Sequence, residues 1–438
     1  MNTKNRIGRR DFLKYSGLGL GLAVSSLAST KVYDVFGQAG DSKTINIGVI
    51  GTGARGRSLM EVLLLIPGVK VPALCDINQA NLDKGAMIVK GYAGNTPEGY
   101  SKGPYDYRRM LERDDLDGVM IATSVKWHVP MSVDAMKAGK NVGCEVPVGY
   151  TLEELWELVK TKEKTGRHYI LLENYNYTRD RMMICNMARQ NIFGEPYYAE
   201  CGYIHDCKNL CFNPDGSLTW RGERAVDNYE HPYATHSLGP VSKWFGINEG
   251  DRMEYLTTMM SPPKSLHLYA VEKFGPDSPA AKINFKRGDF YTTTIHTSQG
   301  KVIRLDFDYM SNRPAEMYYL MQGTKGTYNS RAGIYLKGGK EQYESTTNYQ
   351  DKYDSPCWKE STSAAGKAGH GGGDYFVIRD FVEMVRQNKE PWIDVYDAAA
   401  WSSIGHCSKL SLDGQSKPVE MPDFTKGKWK DTNWRKTI

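Results

Sequence analysis

The chain has 438 residues, 40% hydrophobic, 24% charged and 11% aromatic, which suits two to three domains with ample cores. Its formal charge of +5 is small for this length, and the basic residues are dispersed apart from an N-terminal cluster, which argues against nucleic acid as a partner. Eight cysteines form no framework; Cys201, Cys207 and Cys211 fall near His205 and His231, but the spacing matches no familiar zinc pattern, and buried thiols without a metal are the expectation.

Residues 1–29 read as a targeting segment. Arg9 and Arg10 lead Asp11-Phe12-Leu13-Lys14, and a Gly-rich apolar stretch follows; the order resembles a twin-arginine export signal. The stretch is too short and too broken by glycine to span a membrane. The expectation is an exported, periplasmic protein with no membrane span once the signal is removed. Signal and linker occupy residues 1–42, with cleavage between Ala28 and Ala39.

The next segment, TINIGVIGTGARGRS (44–58), is a β-branched run that breaks into Gly51, Gly53 and Gly56 and passes into a helical pattern. Gly51 permits a tight turn, Gly53 a close approach to a pyrophosphate, and Gly56 close packing of helix on strand. The helix start at Ala54 and Arg55 offers free N–H groups and a positive dipole end to phosphate. The following strand, VKVPALCDIN (69–78), ends in Asp76, placed to hold the ribose hydroxyls. No Arg or Lys immediately follows Asp76, so NAD is expected over NADP.

Alternation then continues. Residues 107–124 read as helix, turn and strand, 129–146 as helix, Gly and strand, and 151–166 as a helix capped by Thr151 with Glu154 three residues on. A buried strand, HYILLEN, covers 168–174. Short apolar strands alternating with helices predict a doubly wound parallel sheet over 43–172. Beyond residue 195 the grammar changes: 197–206, 290–298, 301–310 and 316–330 show period-two or aromatic-rich strands, predicting a largely antiparallel open sheet in an α+β domain over 173–438. Residues 361–373 read as a glycine-rich loop, and 373–391 and 394–412 as helices that pack back on the first domain. The exposed face of the second sheet makes a homo-oligomer plausible on fold analogy. The 28 tyrosines and 9 tryptophans suit a carbohydrate site or an aromatic core.

Within HPYATHSLGP (231–240), Tyr233 and His236 stand three apart on an expected helical turn, with Pro232 in its first turn. They either converge on one ligand, with His236 moving protons, or hydrogen-bond one another in the core. Arg221, in an expected Gly-flanked loop, either holds a ligand oxygen with its fork of donors or is a surface residue. His370 and Asp374 are pocket groups or loop anchors.

The order of fingerprint, T-S-V-K-W-H (123–128) and A-G-K-N-V-G-C-E-V-P (138–147) resembles the glucose–fructose oxidoreductase and inositol dehydrogenase superfamily. There the third segment usually reads Glu-Lys-Pro; here it is Glu145-Val146-Pro147. That departure, with W-H-V-P (127–130), L-E-N-Y-N-Y (172–177), Y-x-H-D (203–206), T-W-R-G-E (219–223) and H-P-Y-A-T-H-S-L-G-P-V (231–241), resembles glycoside hydrolase family 109, the NAD-dependent N-acetylgalactosaminidases. The tail segments G-H-G-G-G-D-Y (369–375) and W-I-D-V-Y-D-A-A-A-W-S (392–402) fit as well. The resemblance implies a Rossmann domain holding NAD, with Trp127, His128, Glu145 and Asn174 near the cofactor. It implies a sugar pocket of Glu145, Tyr177, Arg221, Tyr233 and His236, of which His236, Tyr177 and Tyr233 are catalytic. Where the family usually has a tyrosine after an Arg-Pro, Arg313-Pro314 is followed by Ala315.

The activity implied is hydrolysis of terminal N-acetylgalactosamine, or related hexose, glycosides with NAD recycled. C3 is oxidised, the C2 proton is removed, the C1 oxygen is eliminated, water adds and C3 is re-reduced. Two other readings stay open: an NAD-dependent sugar or polyol dehydrogenase, and a non-catalytic sugar or nucleotide sensor.

Overall fold

The computed structural model describes residues 43–366 and 368–436; the expected export signal lies outside the described residues. Six strands, β1 (Ile45–Ile50), β2 (Val69–Cys75), β3 (Glu98–Tyr100), β4 (Gly118–Ile121), β5 (Asn141–Cys144) and β6 (Tyr169–Leu171), form a parallel sheet in the order β3-β2-β1-β4-β5-β6. Helices α1 (Ala54–Leu65), α2 (Gln79–Ala93), α3 (Asp106–Leu111), α4 (His128–Lys137) and α5 (Leu152–Thr165) run between successive strands. Strands covered on both faces need apolar residues throughout, and β4 and β5 are buried at every position. Thr151 and Glu154 form the reciprocal capping box at α5. The strand order reverses between β1 and β4, and the crevice beyond their carboxyl ends is where such sheets take ligands.

The second sheet has β7 (Pro196–Ile204), β8 (Met253–Met260), β9 (Phe290–Thr297), β10 (Val302–Asp308), β11 (Glu316–Gly323), β12 (Gly326–Asn329), β13 (Gly333–Leu336) and β14 (Val419–Glu420). Their order is β13-β12-β11-β7-β10-β9-β8-β14, antiparallel except where β7 meets β10. Around it lie α6 (Arg179–Arg189), α7 (Trp220–Asp227), α8 (Thr235–Phe245), α9 (Ser265–Phe274), α10 (Thr347–Tyr353), α11 (Pro356–Ala365), α12 (Gly373–Gln387) and α13 (Val395–Asp413).

The two units share one core. A Cβ at Gly143 of β5 would stand 2.9 Å from the Phe381 ring, so α12 lies directly on the parallel sheet. The Leu171 amide donates to Ile393 O at 3.2 Å. All eight cysteines are buried free thiols. Among the described residues, no helix is long and apolar enough to cross a membrane.

Three local expectations change. Much of the loop expected over 361–373 is helical, because α11 runs to Ala365 with a kink at Ser361. Arg221 sits in the first turn of α7, where Thr219 caps the helix, and not in a loop. Helix α8 starts at Thr235, so Pro232 precedes it; the proline inside it is Pro240. Lacking an N–H, Pro240 leaves the His236 carbonyl without its helical partner, and the Tyr319 hydroxyl donates to that oxygen at 2.7 Å.

Candidate active site between the two sheets

A cleft of about 250 Å³ opens at the carboxyl ends of β1, β4 and β5, on the scale of one small ligand. Thr123, His128 and Glu145 line one side, and Tyr203 and Phe307 of the second sheet, with Tyr309 just past β10, the other.

The glycine turn has the shape a dinucleotide needs. Gly51 has φ +91°, and a Cβ at Gly56 would lie 2.0 Å from Gly51 O; these two glycines are demanded by the fold. A Cβ at Gly53 would meet nothing within 4 Å, so the space above it is open for a ligand. Gly53 caps α1 with no side chain bonded to the first-turn amides, among them that of exposed Ala54. Asp76 Oδ2 accepts from Thr52 N at 2.8 Å and Thr52 Oγ1 at 3.2 Å, and its Oδ1 from Asn78 N at 2.8 Å. The acid is thereby fixed beside the turn. These residues fit NAD.

Arg55 reaches away from the turn and joins the domains. Its Nε donates to Glu145 Oε1 at 2.6 Å, while Nη1 and Nη2 form a fork on Asp374 at 2.9 Å each. Burial opposes charge on Arg55, but Glu145 and Asp374 hold it protonated. Burial likewise opposes charge on Asp374; bonds from His370 and Arg55 pull its pKa well below the carboxylate range. Asp374 is thus an anchor, while His370 faces the cleft.

His236 is the centre of a relay. Its Nδ1 lies 2.6 Å from Glu173 Oε1 and its Nε2 3.1 Å from the Tyr233 hydroxyl. Glu173 is fully buried and also accepts the amides of Tyr175 and Asn176 at 2.9 Å each. A carboxylate on Nδ1 fixes the proton there and leaves Nε2 as the acceptor. Burial, then the charge of Glu145, pushes the Tyr233 pKa far above its usual value, so Tyr233 remains a phenol that donates.

Other residues fall differently from the sequence reading. Tyr177 does not line the cleft: it is fully buried, and its hydroxyl donates to Asp380 Oδ2 at 2.6 Å. The aromatic beside the relay is Tyr175, whose ring centre is 4.9 Å from that of His236 and 5.8 Å from that of His370. Asn174 is buried behind Asp374, donating to Oδ1 at 2.7 Å, and meets the cofactor cradle only through that carboxylate. Trp127 stands edge-on to Tyr105, between Val125 and His128, which do line the cleft. His128 places Nδ1 2.8 Å from Pro147 O and Nε2 3.1 Å from Thr123 O. Burial lowers its pKa against the pull of the two carbonyls; a neutral ring has one N–H and so donates to only one of the two backbone segments it lies between. Arg221 lines the cleft with its guanidinium 4.1 Å above the Trp220 ring. Tyr318 and Tyr319 are tied to Asp306 and to His236 O, and the tyrosines that line the cleft are Tyr150, Tyr203, Tyr233 and Tyr309.

His231, 1% exposed, packs against Tyr291 and Phe307 with both ring nitrogens unpartnered. Burial lowers its pKa to about 3. The unfolded chain therefore binds a proton below about pH 6.5 that the fold refuses, and stability falls as pH drops through that value. The loss is about 2 kcal/mol between pH 7 and pH 5. His231→Phe should narrow the gap between melting temperatures at pH 7.5 and pH 5; an unchanged gap would refute this origin.

Comparison with known proteins agrees with this layout. Residues 45–172 match "Oxidoreductase family, NAD-binding Rossmann fold", and residues 177–431 match "Glycosyl hydrolase 109, C-terminal domain". A glycosyl hydrolase family 109 protein of Solibacter usitatus is 38% identical over 433 residues, covering 97% of this chain and 98% of the relative. An alpha-N-acetylgalactosaminidase of Tannerella forsythia is 35% identical over 456 residues, covering 96% and 97%. Levoglucosan dehydrogenase in complex with NADH and L-sorbose has the same fold, with TM-score 0.67, 18% identity, and coverage of 87% of this chain and 100% of that one. An NAD-binding Rossmann domain joined to this C-terminal domain, in one continuous match to such relatives, makes the chain a member of glycosyl hydrolase family 109.

Proposed function

We propose that this enzyme hydrolyses terminal N-acetylgalactosamine glycosides, and that the Glu173–His236–Tyr233 relay moves the protons. NAD, when bound, supplies a reversible hydride acceptor that leaves the sugar C3 a ketone for part of each turnover, which acidifies the C2 hydrogen. The chain's own part is acid–base work. Glu173 orients His236, Nε2 accepts a proton, and Tyr233 carries it to or from the sugar. Glu145, held by Arg55, faces the same space. The observation that carries this reading is the relay itself, buried at one end and opening at Tyr233 into the cleft. Position 146 is a buried valine, so the superfamily's lysine amine is missing there, which disfavours a plain dehydrogenase. Export by the twin-arginine route belongs to the same proposal. So does self-association through the second sheet's open face, where Met259 is 67% exposed.

The test is hydrolysis in deuterated water with no cofactor added. Deuterium should enter the released sugar at C2 and nowhere else on the ring, and thioglycosides should be cleaved, because elimination depends little on protonating the leaving group. Released sugar free of deuterium, together with inert thioglycosides, would sink the elimination route.

A further inference from the structure

Arg287 lines the cleft at 4% exposure, and its Nε has no hydrogen-bond partner. Among the described residues its guanidinium makes no hydrogen bond or ion pair. Its backbone is fixed, since the Arg287 amide donates to Ala225 O on α7 at 3.1 Å, and this brings it beside the helix that carries Arg221 and Arg224. Those two arginines line the same wall. Arg224 is paired with Glu230 at 2.7 Å and lies over the Tyr150 ring at 3.2 Å. Arg221 stacks on Trp220 and has no carboxylate at ion-pair distance among the described residues. Asp289, two residues on, spends its carboxylate on the amides of Lys264 and Ser265. The wall therefore presents three guanidinium groups against one carboxylate.

A neutral sugar does not account for this. Hydroxyls and an acetamide can satisfy N–H donors, yet they leave the buried charge uncompensated, and a buried unpaired cation is strongly disfavoured. A planar fork of donors is the arrangement that meets an oxyanion through paired, charge-assisted hydrogen bonds. We infer that Arg287, with Arg221, receives an oxyanion carried by the substrate itself: a sulfate ester or carboxylate on the sugar at C4 or C6, away from the reacting carbons. This rests on the glycosidase reading above and narrows its substrate class to anionic aminosugar glycosides.

The experiment compares kcat/KM for 4-nitrophenyl N-acetylgalactosaminides, neutral, 4-O-sulfated and 6-O-sulfated, and for the corresponding 6-carboxylate, in both anomers. Wild type should prefer at least one anionic substrate by ~30-fold, the scale of a charge-assisted contact, and the arms tell sulfate from carboxylate. The preference should shrink as salt is raised, fall to about one in Arg287→Gln and be partly retained in Arg287→Lys. Should Arg287→Gln not fold, the wild-type ratios and the greater thermal protection by free 6-sulfated sugar than by the neutral sugar still decide. Neutral glycosides cleaved at least as well as every anionic one would overturn this inference and leave the glycosidase reading standing. No glycoside cleaved in any arm would overturn both.

Discussion

Tyr233→Phe is expected to lower glycoside turnover by roughly two or more orders of magnitude, the scale for losing one acid–base group. The substitution removes one hydroxyl, whose protein partner is His236 Nε2, so folding and retained NAD should stay near wild type. His236→Gln should lose activity to a similar degree. It also deprives the buried Glu173 of its imidazole, leaving that carboxylate to backbone amides and Asn176, so its melting temperature should drop. The split between the pair is informative: activity lost without stability at residue 233, and both lost at residue 236. Full activity in Tyr233→Phe, measured with NAD content by denaturing release, would remove Tyr233 from the chemistry.

The second large effect lies in the glycine turn, where two substitutions three residues apart should fail for opposite reasons. In Gly53→Ala the added carbon meets no protein atom within 4 Å, and the backbone at φ −62° suits any residue. Stability should change by less than about 1 kcal/mol, a helix-cap effect, while NAD affinity collapses because the methyl group stands where the phosphates approach. In Gly56→Ala the new carbon lies 2.0 Å from a backbone oxygen. The helix must move off the strand, costing about 1–3 kcal/mol against the usual gain of alanine in a helix. Calorimetry with and without NAD separates the two. A Gly53→Ala enzyme that still copurifies with stoichiometric NAD would contradict the assignment of that space to the cofactor.

What the sequence made legible is what is local in the chain. The turn from β1 through Gly51 to α1, the acid at the end of β2 and the capping box at Thr151 are spelled by neighbouring residues, and the structure places them where the spacing predicts. Tyr233 and His236 were legible as a pair, though through a loop-to-helix contact and not a shared helical face. Glu173 was missed as a functional group. Its partner His236 is 63 residues away, and the only signal was a carboxylate directly after the apolar run of β6, where burial demands a reason. Tyr177 entered the expected pocket through the family resemblance, and a motif does not say which of two alternate aromatics points inward; the short helical turn at 175–177 sends Tyr177 into the core. Arg287 left no signal, since its meaning comes from the absence of a partner, which is a property of space and not of spacing.

The bridge from Arg55 to Asp374 spans 319 residues and bears on the order in which the molecule is made. The strands and glycine turn of the first domain leave the ribosome early, and Arg55 can meet Glu145 there, yet Arg55 gains its second carboxylate, Asp374, only once Gly373–Gln387 has been synthesised and has docked on β5. The brace behind the dinucleotide turn is therefore completed late in the chain. A chain stopped short of Asp374 would carry the fingerprint and the Arg55–Glu145 pair without the carboxylate that ties them to the second domain.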